Sequence, residues 1–187
     1  MAIYNNVMGT LARVLAADNI DNSTKQSWQK LIDAELRSGG QGAGISARDK
    51  FDYDCCLYAL LHRELAPAQW DVLVAKRSTH KANKVGAIGR LTSRIDSPAS
   101  QLFIYKAVTA WAIPKLKGVQ SGKRSTDMIV LPAEFYNMNN WDTEGRPEST
   151  RRRWKTGVTK CLERLEEAAV IHATEIFDRE EIFIVAA

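Results

Sequence analysis

Apolar residues recur every three or four positions along most of this 187-residue chain, and this spacing predicts a mainly helical fold. The pattern is clearest in the last third, where Trp154, Val158 and Leu165 mark one face of a helix that begins near residue 151. The same face also carries Cys161, Leu162 and Ala169. We expect this face to pack inward, so the opposite face must meet solvent or a partner.

The same periodicity predicts several shorter helices in the rest of the chain. They cover residues 3–15, 28–36, 51–65, 66–77 and 80–95, a segment opening at Ser97 and Pro98 and ending near Pro114, and a short helix from Pro132. On the helix over 80–95, the expected buried side carries Val85, Ile88, Leu91 and Ile95. Gly86 and Gly89 weaken this helix and are interpreted as points of close packing against a neighbour, with a DNA contact by the helix as the alternative.

The glycine-rich stretch SGGQGAGIS has no strand before it, so we interpret it as a linker rather than a phosphate-binding loop. It divides the chain into predicted segments. These are an N-terminal helical pair at 1–38, the linker at 39–50, a helical region at 51–97 and a basic DNA-binding domain at 98–187.

The composition indicates an ordinary globular protein, with 45% hydrophobic residues and no apolar stretch long enough to cross a membrane. We therefore expect a cytoplasmic protein without a membrane contact. Cys55 and Cys56 are adjacent and Cys161 is distant, which is not the spacing of a zinc site. The paired cysteines are expected to be small buried side chains, and no cofactor is predicted. Acidic residues are scattered through the basic region and no histidine sits beside a nucleophile, so the chain is not expected to be an enzyme.

Positive charge is concentrated in one part of the chain. Residues 76–160 contain 17 lysine and arginine residues against 6 acidic ones, whereas the segments before and after them are both net acidic. Such a segregated basic region is typical of a surface that binds a polyanion, and a solvated basic face without a ligand is the alternative.

The predicted helix after residue 151 carries its bases at the start and its acids further along, which opposes the helix dipole. Recognition of DNA explains this order, because the first turns of a recognition helix enter the major groove. Thr156 and Thr159 are expected to face base edges. The candidate DNA contacts in this part of the chain are Arg146, Ser149, Thr150, Arg151, Arg152, Arg153, Lys155, Thr156, Thr159 and Lys160.

Two other basic places join the candidate surface. The helices over 66–77 and 80–95 are separated by a short turn, as in a helix-turn-helix, and contribute Lys76, Arg77, Lys81 and Lys84. The loop GVQSGKRST contributes Lys123 and Arg124.

Two short β-prone runs, ATEIF and EIFIVA, close the chain and predict a hairpin. Together with the preceding helices, the hairpin completes a winged-helix-like arrangement. The predicted fold is therefore a mainly α-helical bundle with a C-terminal helix-turn-helix and a β-hairpin wing. The wing is acidic and DNA phosphate would repel it, so we expect a protein contact there, with a solvated surface as the alternative. Its candidate residues are Glu175, Asp178, Glu180 and Glu181.

Three stretches together resemble phage and prophage regulators. They are WDVLVAKRSTHKANKVGAIGRL, SPASQLFIYKAVTAWAIPKLKG and RPESTRRRWKTGVTKCLERL. This texture is similar to that of Q-type transcription antitermination proteins and, among them, of AlpA-like regulators. The resemblance implies a protein that binds double-stranded DNA at a promoter, engages RNA polymerase with its sigma factor, and allows transcription past terminators. Some members of the family carry a zinc site made of closely spaced cysteines, and this chain lacks the spacing of such a site.

The same winged helix would also suit a phage or plasmid replication initiator or a repressor. Self-association as a homo-oligomer on repeated or palindromic DNA would distinguish this alternative.

Overall fold

The computed structural model describes residues 6–17, 47–115 and 129–183. Within these ranges the chain is mainly helical, as predicted, and contains no strand. The helices are α1 (Val7–Ala17), α2 (Ala47–Glu64), α3 (Pro67–Arg77), α4 (Lys81–Arg94), α5 (Gln101–Ala112) and α6 (Glu148–Arg179). The predicted helix at 28–36 and most of the predicted linker lie outside the described residues. The last four residues of that linker, 47–50, form the first turn of α2.

The described elements belong to two compact units, of which the first contains Met1–Leu65 and Val170–Ala187. Its buried apolar residues come from α1, from α2 and the residue after it, and from the last turns of α6. They are Leu11, Val14, Leu15, Leu57, Leu61, Leu65, Ala173, Ile176 and Phe177. An ion pair of 2.8 Å between Arg13 Nε and the buried Asp54 Oδ2 joins α1 to α2. Burial of apolar surface is the main stabilising force of this unit.

The second unit contains Ala66–Ala169, and its core lies between α3, α4 and α5. Pro67 opens α3, where proline costs no helical hydrogen bond. Ser100 caps α5 by accepting a hydrogen bond of 3.3 Å from the Phe103 amide. The packing groups the chain differently from the predicted segments, because helices on both sides of residue 97 share this core.

Three aromatic rings hold the start of α6 within the second unit. Phe103 on α5 meets Trp141 and Trp154 edge to face, at centroid distances of 5.5 and 5.6 Å. Trp141 is fully buried, and its indole N–H donates a hydrogen bond of 2.6 Å to the Phe135 carbonyl. The helix predicted from Pro132 is replaced by two 3-10 turns, Ala133–Tyr136 and Met138–Asn140.

Several side chains predicted to be buried face outward instead. Cys55, Cys56 and Cys161 are exposed, because they lie beside the stripes that their helices bury and not within them. Val85 is 52% exposed, since the buried side of α4 centres on Ile88 and Leu91 and takes Lys84 in place of Val85. Gly86 and Gly89 are not close-packing points: a side-chain carbon at Gly89 would meet open space, and one at Gly86 would meet only the end of the Arg90 side chain. The helix predicted from Ser97 begins three residues later, after its cap at Ser100.

The predicted β-hairpin is wrong in its first strand, because residues 173–177 form part of α6. Ala173, Ile176 and Phe177 continue the three- and four-residue spacing of the buried face, and this long-range helical period outweighs the β-propensity of a short run. The helix ends at Arg179 and the next bend uses Glu181, whose φ is 54°. There the Ile182 amide donates to the Phe177 carbonyl at 3.0 Å, which is the Schellman form of helix ending.

None of the helices in the described ranges combines the length and the apolar character needed to span a membrane.

Candidate nucleic-acid interface

A tight polar loop, residues 142–147, leads into α6 in the place where the sequence predicts a turn. The Asp142 carboxylate accepts hydrogen bonds from the Glu144 amide at 3.1 Å and the Arg146 amide at 2.6 Å. Gly145 has a φ of 66°, a left-handed conformation that glycine adopts without steric cost. This geometry fixes the direction in which the basic start of α6 leaves the loop.

Three of the predicted DNA contacts near this loop interact with the protein itself. Arg146 pairs with Glu144 and lies 5.7 Å from the Trp154 ring centre, while Lys155 Nζ lies 5.2 Å from that of Trp141. Such cation–π contacts add modest stability at partly exposed sites. Arg151 is half-buried and donates at 3.4 Å to the Asn139 carbonyl. These bases therefore help to hold the aromatic cluster and the loop.

A second set of bases on α6 points away from the protein. Arg153 and Lys160 are exposed, and neither forms an ion pair with any residue in the described ranges. Arg152 is 72% exposed and pairs at 2.7 Å with Glu148, which is 55% exposed, and such a contact contributes little stability in water. We name the exposed residues Ser149, Arg152, Arg153, Thr156, Gly157 and Lys160 the outer basic face of α6. Of the other predicted contacts, Thr150 and Thr159 are half-buried at the edges of this face.

Lys76, Arg77 and Lys84, which were predicted as DNA contacts on α3 and α4, are also used internally. Lys76 Nζ donates at 3.0 Å to the Trp111 carbonyl and lies 4.3 Å from the Trp111 ring centre. Arg77 forms a half-buried ion pair of 2.6 Å with Glu166 of α6. Lys84 Nζ donates at 3.2 Å to the Lys76 carbonyl. Burial, with a smaller effect of the Lys76 charge, lowers the pKa of Lys84 to about 8. Lys81 is exposed at the start of α4.

The connection between α3 and α4 is a three-residue turn, 78–80, as the helix-turn-helix prediction requires. Ser78 Oγ accepts at 3.1 Å from the His80 amide, and His80 Nδ1 accepts at 3.2 Å from the Asn83 amide as the cap of α4. Arg90 and Arg94 of α4 both bind the carboxylate of Asp71, which is only 2% exposed, at 2.7 Å each.

Sequence reasoning missed this Asp71 clamp. Its signal is a single acid inside an apolar helix, followed by two arginines four positions apart on the next helix. The clamp fixes α4 against α3, and it engages two arginines that would otherwise count as free positive charge.

The predicted protein-contact residues remain exposed but do not form a wing. Glu175 and Asp178 lie on the last turns of α6, Glu180 pairs with Arg179 at 3.1 Å, and Glu181 occupies the bend. Lys123 and Arg124 lie outside the described residues.

The described residues contain no group of three or more histidine, cysteine, aspartate or glutamate side chains that could hold a metal ion. The outer basic face of α6 offers positive charge and hydrogen-bond donors. Comparison of the chain with protein-family models, curated proteins and solved structures found no match, so the resemblance to Q-type antitermination proteins stays a prediction from sequence texture.

Proposed function

We propose that the protein binds double-stranded DNA through the outer basic face of α6 and acts as a transcription regulator. The observation that carries this proposal is the exposure of Arg153 and Lys160 without an ion pair in the described part of the chain. Their neighbours Arg151 and Lys155 have internal contacts, so the outward bases are the ones with charge to offer a ligand.

These bases stand together on one side of the helix. Because α6 begins at Glu148, Arg152 and Arg153 lie in its second turn, where the helix dipole has little effect on their charge. Thr156 and Lys160 follow on the same side, which gives the face both a hydroxyl and further positive charge.

The dimensions of a helix suit this ligand. An α-helix with its side chains is about 10–12 Å across, close to the roughly 12 Å width of the major groove of B-DNA. Arginine and lysine then reach phosphates and guanine edges, while Thr156 faces the groove floor. The resemblance to Q-type antitermination proteins would place this binding at a promoter, with RNA polymerase and sigma factor as further partners.

The test is the double substitution Arg153→Ala with Lys160→Ala, measured by fluorescence polarisation on a short DNA duplex over a series of salt concentrations. Log affinity falls with log salt concentration, and each lost phosphate contact should make this negative slope shallower by about 0.9. The matched control is Arg63→Ala with Lys115→Ala, which removes the same charge from two other exposed positions. If the test and control variants keep the same affinity and slope, the outer basic face of α6 does not bind DNA.

A further inference from the structure

The exposed charges in the middle of α6 form a pattern that fits a second copy of the same helix. Lys160, Glu163, Arg164 and Glu167 occupy two consecutive turns and are all exposed. Within the described ranges none of the four forms an ion pair, although Glu166 on the inward side does. Four unpaired charges with alternating signs are therefore presented together to the outside.

We propose that two copies of the chain associate through this part of α6, with the two helices antiparallel about a two-fold axis between Glu163 and Arg164. An axis at this point places position 160 of one copy opposite 167 of the other, and 163 opposite 164. Lys160 then meets Glu167 and Glu163 meets Arg164, each twice because the interface is symmetric. The pattern is self-complementary only for the antiparallel arrangement, since a parallel one would place like charges together.

A residue further from the axis fits the same arrangement. Gly157 lies one turn before Lys160 on the exposed side of α6. A side-chain carbon at Gly157 would meet nothing within 4 Å, so no packing in the described structure requires a glycine there. Glycine in a helix interior is destabilising by roughly 1 kcal/mol relative to alanine, and close approach of a second helix at Gly157 explains its presence.

This pairing and the proposed DNA contact use some of the same bases, so they exclude each other. The second copy covers Lys160, which is also a proposed DNA contact. Self-association would therefore regulate access to the outer basic face of α6. The inference on pairing itself stands on the charge pattern and does not need DNA binding to be correct.

The test is sedimentation equilibrium of the full chain without DNA, so that loss of DNA binding cannot affect the result. The wild-type protein should reach twice its mass of 20.9 kDa. Glu167→Lys and Lys160→Glu should each weaken self-association about tenfold, because each change replaces two attractions by two repulsions. Together in one chain, the two changes restore opposite charges and should restore the dimer.

Glu134→Lys is the control, since it makes the same charge change at an exposed position outside α6. Within α6, a charge reversal at 160 or 167 loses one attraction to Glu163 or Arg164 and gains one to the other. Circular dichroism should therefore show an unchanged helix content. A monomeric wild-type protein would overturn the pairing, and so would a double variant that remains as weakly associated as the two single variants.

Discussion

Replacing Lys84 by methionine should make the protein more stable at neutral pH. Lys84 is half-buried on the inward side of α4, and its pKa falls from the ordinary 10.5 to about 8 because burial penalises the charged form. At pH 7 the folded protein therefore holds a charge in an unfavourable place. Methionine has a similar length and fills irregular apolar space without charge.

The magnitude follows from the difference between the pKa values of the folded and unfolded states. Each pKa unit corresponds to 1.36 kcal/mol, so Lys84→Met should raise the free energy of unfolding at pH 7 by at most about 3 kcal/mol. The loss of the hydrogen bond to the Lys76 carbonyl offsets about 1 kcal/mol of this gain.

The pH dependence gives the sharper test. Between pH 8 and 10 the unfolded chain holds a proton on Lys84 that the folded chain has released, so the wild-type free energy of unfolding should rise with pH in this window. The variant lacks this rise, and the gap between the two proteins should close towards pH 10. Urea unfolding at several pH values measures both proteins, with the exposed Lys81→Met as control. A constant gap from pH 7 to 10 would show that Lys84 does not titrate as its burial implies.

Two further substitutions test single features of the structure. Asp71→Asn should lower the free energy of unfolding by about 2–4 kcal/mol in urea titrations, because Arg90 and Arg94 lose their shared buried carboxylate. Arg94→Ala should lower it less, since Arg90 still neutralises Asp71. An equal loss for both variants would argue against the clamp. Glu181→Gly should stabilise the first unit by about 0.5–1 kcal/mol in thermal melts, because glycine adopts the φ of 54° without strain. Glu180→Gly is its control and should be destabilising, and a gain at both positions would point to another cause.

The helices were predictable because each buries one continuous stripe, and a stripe is visible in the sequence as a three- to four-residue period. Val158 and Leu162 on α6 are buried as that period requires. The prediction of a hairpin was wrong because two patterns overlap in the same residues. Ile176 and Phe177 belong both to a β-prone run and to the long helical stripe, and only packing against other elements decides between the two.

The sorting of the bases was not predictable from the sequence. By residue type alone, the bases on α3 and α4 could form a DNA-binding cluster. In the structure Lys76 contacts the Trp111 carbonyl, Arg77 pairs with Glu166, and Lys84 contacts the Lys76 carbonyl. Residue type alone does not show whether a long basic side chain lies along the protein or extends from it. The outward direction of Arg153 and Lys160 was predictable, because they lie opposite the apolar stripe of α6.

The division of the chain also sets the order in which its parts can fold during synthesis. The helices α1 and α2 are synthesised well before Ala173, Ile176 and Phe177, which belong to the same core. The second unit is continuous from Ala66 to Ala169, so it can fold before those three residues are made. Leu11 and Leu61 therefore stay uncovered until α6 is complete, and they can meet other chains or chaperones meanwhile. Release of a chain shortened after residue 169 would leave the second unit able to fold and the first prone to aggregate.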